Sequence, residues 1–479
     1  MKSSKCKLTL LLSTAFFLLS PVFPNVSFAA SAQAATCGYV PKQGVNPTYQ
    51  QINCLLTQAA IKAKIPPEVV KGIATQESGD WKQFDANGKP IISPDGGIGV
   101  MQITNQTGYD TNKLKNDVVY NINAGVEIVA NMYKRNDLPK IKGMTSNIIE
   151  NWYFPVMAYN GTKPKNSPIV QATGKKNMNA YQEKVFHHIE EFNFLDSMKL
   201  TPIPFLAKDF QYDPQSNENI KFLKTLYTIT KPLNASRYSF MKGEAVVTTQ
   251  SANLRSKPTT DSSSVPIKKQ TTLTIAGNFT YDEVSSRHNQ FVWYPVKPGN
   301  STKTYYISSS YITKKLNAPS VNTVDDNDKY VTGSKALPGS NVTVKAGTKG
   351  IGAAIADAKG SFKLSIPIQK ANSSLTIYYV DKTNTQSPAA TVKVKDRTAP
   401  SAPKINSITS KTKSVTGKAE SYSTVKLAVG KKTIGAAKAD QKGNVKISIK
   451  PQKAGTLIKA SATDTSGNTS SITTIKVKK

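Results

Sequence analysis

From about Asn46 to Leu195, apolar residues return every three or four positions, the spacing of one face of a helix. From about Glu244 onward they alternate with polar residues in short runs broken by Gly, Pro, Ser, Asn and Asp. The pattern changes class near residue 200, predicting a helical region followed by all-β modules. The stretch between, TPIPFLAKDF and then QYDPQSNENIKF, fits a linker and the trailing edge of the helical region equally well.

Within the helical region, a first helix is predicted to start after Asn46 as its cap, with Ile52, Leu55, Leu56, Ala59 and Ala63 on one face. A second starts at Pro66-Pro67-Glu68, where proline suits the first turn and an acid suits the positive helix end, and stops at Gly79. Val70, Ile73, Ala74 and Glu77 share one face of it. That spacing puts a carboxylate on the apolar side of a helix, in its last turn. Burial disfavours its charge and the negative helix end repels it, so its pKa should rise, while a helix-end glutamate whose side chain simply reaches solvent fits the same spacing.

The C-terminal part is duplicated. IGAAIADAKGSFKLSI from Ile351 aligns with IGAAKADQKGNVKISI from Ile434 at an offset of 83 residues, and Val392-Lys393-Val394 pairs with Ile475-Lys476-Val477 at the same offset. Strand-like runs such as SNVTVKAG and STVKLAVG, with turns between, predict small sandwiches joined at DRTAPSAPKI. These units resemble bacterial immunoglobulin-like domains. Ahead of them, ANLRSKPTTDSSSV, then FVWYPVK, then TYYISSSYI resemble a bacterial SH3-like module. That resemblance implies a wall-peptide or wall-glycan ligand, while a plain spacer fits the same residues.

The chain is 479 residues long, enough for several cores. Its start, with Lys2, Lys5 and Lys7, the run LTLLLSTAFFLLS, Pro21 and Pro24, and small residues at Ala29-Ala30, predicts a cleaved secretory signal peptide and no membrane anchor thereafter. Cys37 and Cys54 then remain in a compartment where disulfides persist, and either a bridge or two free thiols fits the spacing. The formal charge is +33, or +30 once the three leader lysines are removed. Either a polyanionic partner or a surface merely kept soluble by its lysines fits that charge, and for an exported chain without a basic-aromatic motif, anionic wall polymers such as teichoic acids fit better than nucleic acid.

Three blocks then bear on the chemistry: IPPEVVKGIATQESGDW, DGGIGVMQITN and FPVMAYNGT. In this order they resemble lytic transglycosylases and goose-type lysozymes, over roughly residues 46 to 195. Val100 and Thr162 depart from that pattern, and neither is ionisable. The resemblance implies Glu77 as general acid, with Ser78, Met101, Gln102, Tyr159 and Asn160 lining a sugar site. Gly97 and Gly99 would let the backbone approach the ligand or serve as ordinary turn glycines. Asp95 is the candidate second carboxylate, with Asp85 behind it, although acids in such surroundings are commonly turn formers. In the transglycosylase relatives no second acid is needed.

His187, His188 and His288 have no metal-ligand spacing to acids or cysteines, and no metal or cofactor is expected. The expected plan is multidomain: signal peptide (1–30), α-rich lysozyme-like (α+β) domain (37–196), connector (197–243), SH3-like β-barrel (244–316) and two all-β Ig-like sandwiches (318–396 and 397–479). Its expected role is a secreted, wall-associated peptidoglycan hydrolase cleaving the β-1,4 bond between N-acetylmuramic acid and N-acetylglucosamine. The rival reading is a non-catalytic wall-binding adhesin or scaffold.

Overall fold

In the computed structural model the described residues are 32–104, 107–192 and 199–479. The predicted signal peptide lies outside them. Among the described residues no helix is long and apolar enough to cross a membrane. The described residues form two compact units, one of those up to 229 together with 234–313, and one of 230–233 together with 314–479.

The first unit is built on α1 (Tyr49–Lys62), α2 (Pro67–Ser78), α3 (Thr111–Asn116), α4 (Val118–Lys134), α5 (Tyr153–Asn160) and α6 (Tyr181–Phe192). α1 begins later than Asn46. Thr48 caps it, and Gln51 completes a capping box. Asn46 instead accepts from the amides of Gln83 and Phe84 and donates to the Phe84 carbonyl at 2.7 Å, fastening the chain before α1 to the loop after α2. Cys37 and Cys54 are joined in a disulfide with Cα atoms 5.6 Å apart, tying the N-terminal segment to α1.

α2 runs through the middle of this core, with Val69, Val70, Ile73 and Ala74 fully buried. At Gly72 it passes so close to α6 that a Cβ would stand 2.7 Å from Ile189 and 3.1 Å from the Val185 carbonyl. Residues after α6 stay packed on the helices. Ile220 donates to the Thr162 carbonyl, buried Glu150 accepts from Thr201 and Asn234, and Phe154 meets Phe205, Phe210, Phe222 and Tyr227.

The unit continues into a seven-stranded antiparallel sheet. Its spatial order is Ile312–Lys314, Ala245–Thr248, Thr272–Ile275, Trp293–Pro298, Tyr305–Ser308, Ala252–Arg255 and Ser264–Ile267. Its core gathers Val246, Leu254, Leu273, Val292, Val296 and Ile307, together with Tyr238 from ahead of the first strand.

The second unit repeats one design. A three-stranded sheet (Ser320–Val321, Tyr330–Ser334, Phe362–Ser365) accompanies a four-stranded one ordered Lys349–Ile355, Asn341–Ala346, Ser374–Val380, Ala390–Lys393, and the two share one apolar core. Residues 404–476 have the same two sheets in the same order. The 83-residue offset survives even in the irregularities, since the bulge between Val344 and Lys345 returns between Leu427 and Ala428.

Candidate active site

Glu77 stands in the last turn of α2, which ends at Gly79 with φ of 58°. Its side chain is largely enclosed, and burial pushes its pKa up to about 7 from 4.5. Two smaller effects act on it: the Tyr181 hydroxyl donates to Oε1 and holds the pKa down, while the negative charge of Asp95 raises it. A carboxyl group in this state still carries its proton in half the molecules near neutral pH, so it can donate to a leaving oxygen.

Tyr181 opens α6, and sequence reasoning missed it. It lies 104 residues beyond Glu77, and the close approach of α2 and α6 at Gly72 brings the two together. Burial drives the Tyr181 hydroxyl well above its usual range, so it stays protonated and remains a donor. Asn166 was missed too. Its amide donates to the Gly161 carbonyl at 2.8 Å and the Asn160 side chain at 3.0 Å, and its oxygen accepts from the Tyr181 amide, joining the end of α5 to the start of α6.

The loop of residues 93–103 contributes backbone more than side chains. Met101 is fully buried, its side chain packed where a Cβ on Gly125 would sit, at 2.6 Å. What it offers is its carbonyl, which accepts from the Tyr159 hydroxyl at 2.6 Å, and its amide, which donates to Asn121. Gln102 has φ of 44° and turns back to donate to the Gly99 carbonyl at 2.7 Å. The glycines are demanded by this chain's own atoms. A Cβ at Gly99, where φ is 67°, would fall 2.2 Å from the Gln83 side chain, and one at Gly97 would fall 2.6 Å from Ser93 and Gln102.

Gln83 and Asn121 carry this loop and were not singled out from the sequence. Buried Gln83 donates to the carbonyls of Leu114 and Lys115 and accepts from the Val100 amide, and Asn121 donates to the carbonyls of Ile98 and Leu114. Each is a long-range link between a loop backbone and a helix end, with no local pattern to reveal it.

Ser78 uses its hydroxyl on the Ala74 carbonyl one turn back, at 3.0 Å. Asn160 ends α5 on an exposed position. Asp95 is fully exposed, and the Ser93 hydroxyl holds its pKa below the usual carboxylate range, so it is ionised at a pH where half the Glu77 side chains still carry their proton. Asp85 accepts from the amides of Asn87 and Lys89 as a turn former. Among the described residues no group of three His, Cys, Asp or Glu side chains could hold a metal ion.

A helical domain with a proton-holding acid at the end of its central helix, followed by two sandwiches of one design, defines a modular protein with one chemical site among its helices. Residues 55–182 match the transglycosylase SLT domain, and residues 317–396 and 399–479 each match a bacterial Ig domain. The chain thus carries an SLT transglycosylase domain followed by two bacterial Ig domains. Over 146 residues it is 35% identical to the cell wall-associated protease of Bacillus subtilis (strain 168), an alignment covering 30% of this chain and 16% of that protein. Among solved structures, the chain matches the BSP domain of a biofilm associated protein at 23% identity over 34% of this chain and 29% of that one, with a TM-score of 0.16. Another is the fibronectin(III)-like modules of Clostridium thermocellum CbhA, at 19% identity over 34% and 93%, with a TM-score of 0.20.

Proposed function

We propose that this chain is an exported, wall-associated lytic enzyme that cleaves the β-1,4 bond between N-acetylmuramic acid and N-acetylglucosamine in peptidoglycan. The observation that carries the reading is Glu77, a carboxyl group with a pKa of about 7 at the end of α2, inside the span that matches the SLT domain. Glu77 donates its proton to the glycosidic oxygen as the bond to the sugar breaks, and the Tyr181 hydroxyl then steadies the carboxylate that remains. The exposed, ionised Asp95 favours the oxocarbenium-like centre electrostatically without bonding to it, and the sugar's own substituent or a water completes the reaction. Ser78, Gln102, Tyr159 and Asn160 frame the site, with Gly97 and Gly99 shaping its loop and Met101 lending its backbone.

The β-modules hold the enzyme on the wall. The recess of about 420 Å³ on the seven-stranded sheet, beside Arg255, Arg287, His288, Trp293 and Tyr311, suits a wall ligand of an SH3-like module. The lysine-rich sandwiches suit anionic polymers such as teichoic acids. Similarity to a protein named as cell wall-associated supports that location. Mass spectrometry of fragments released from purified walls tests the proposal. Anhydro-muropeptides or reducing-end muropeptides are expected, and a folded protein that binds walls yet releases no fragments would leave the scaffold reading standing.

A further inference from the structure

Glu68, Lys71 and Thr75 are spaced three and four residues apart and so share one face of α2, roughly opposite the face of Val70, Ile73 and Glu77. Lys71 is fully buried, and Glu68 is 2% exposed. Apart from Trp81, whose indole N–H donates to the Thr75 hydroxyl at 3.0 Å, the polar partners of this face come from residues 236–290. Lys71 Nζ donates to the Tyr238 hydroxyl and to the Gln290 carbonyl, both at 2.8 Å. Glu68 accepts from the Arg237 amide and the Ser236 hydroxyl, also at 2.8 Å, and Thr75 accepts from the Gln290 side chain at 2.9 Å. α1 makes the same kind of contact, since Gln50 donates to the Arg287 carbonyl and Asn53 to the Asn289 carbonyl.

A module tethered only to bind the wall would meet the helices through solvated residues. A buried ammonium is tolerated only with its acceptors in place, and removing them leaves an uncompensated charge. We infer that residues 236–313 are a fixed brace for α2, with Lys71 as the positioning residue that holds the Glu77 helix in register, so that cleavage needs this module even on glycan too small to span a wall-binding site. Burial pushes the Lys71 pKa well down and the Glu68 charge opposes that shift, and the amine can donate to Tyr238 and Gln290 in either protonation state, so the brace rests on these hydrogen bonds and not on the charge alone.

The catalytic half of this inference rests on the proposed glycan cleavage, and the brace itself does not. The test uses the full chain with Lys71→Met, which keeps length and loses the charged donor, and with Tyr238→Phe, which removes one hydroxyl and keeps the ring. On solubilised glycan chains Lys71→Met should lower kcat roughly tenfold or more with KM unchanged, as expected for lost hydrogen bonds to a charge, while wall binding persists. Tyr238→Phe should move kcat in the same direction by less. Hydrogen exchange on the same proteins decides the brace without activity. Amides of Val70–Ser78 and of Trp293–Pro298 should open together in wild type, and both should exchange faster in either variant. Wild-type kcat in folded Lys71→Met, or α2 and strand amides opening independently, would overturn the inference. If wild type itself cleaves nothing, the proposed function fails and the exchange result still decides the brace.

Discussion

Glu77→Gln removes the acidic proton while keeping size and a hydrogen-bonding oxygen for Tyr181. With a pKa of about 7, half the Glu77 side chains are protonated at pH 7. A glutamate at its ordinary value would be protonated there in only about one molecule in three hundred. The enclosed site therefore supplies on the order of a hundredfold more competent acid. Because the protonated form acts, cleavage should decline as pH rises through about 7. Losing the general acid should cost roughly a hundredfold to ten-thousandfold in rate. Stability should change in the opposite sense. Between 4.5 and about 7 the unfolded chain releases this proton and the folded one keeps it, so folding weakens as pH rises, by up to about 3 kcal/mol above that window. Glutamine bears no such penalty. The variant should therefore melt at or above wild type at pH 8 and show no advantage at pH 4. Clearing of purified peptidoglycan and thermal unfolding at the two pH values are the assays. Near-wild-type clearing by folded Glu77→Gln, or wild-type cleavage that is flat between pH 6 and 8, would refute the reasoning.

Tyr181→Phe removes the donor that holds the Glu77 pKa down, so the alkaline limb of the pH–rate profile should move to higher pH, and a shift to lower pH would contradict that role. Asp95→Asn should keep most activity and move the same limb slightly to lower pH, since the Asp95 charge raises the Glu77 pKa. Inactivity equal to Glu77→Gln in a folded protein would instead require two carboxylates, and anhydro-sugar ends in the digest would support one. Residues 318–479 hold 27 basic and 9 acidic residues. Deleting them should weaken binding to walls and remove its salt sensitivity, given screening over about 8 Å at physiological ionic strength. A pull-down across a salt series, on walls with and without teichoic acid, checks this, and equal, salt-independent retention of both proteins would rule out an electrostatic anchor.

The sequence by itself determined what depends on neighbours along the chain. Helical spacing put Glu77 on the face of Val70 and Ile73, alternation marked the strands, and the 83-residue repeat announced two sandwiches of one design. Those features are local, so periodicity and turn residues express them directly. Tertiary structure decided what depends on distant partners. Tyr181 reaches Glu77 only because Gly72 lets α2 and α6 approach. Gln83 and Asn121 look like ordinary polar residues until a loop backbone needs its donors and acceptors satisfied. Asn46 has the residue type of a cap, yet Thr48 takes that place because Asn46 is committed to Gln83 and Phe84. Lys71 is one more polar residue on α2 by its spacing, and its partners, Tyr238 and Gln290, lie 167 and 219 residues further along the chain. A side chain's pattern reports which way it points, but its hydrogen-bonding partners and its contact with water are fixed only when remote segments close over it.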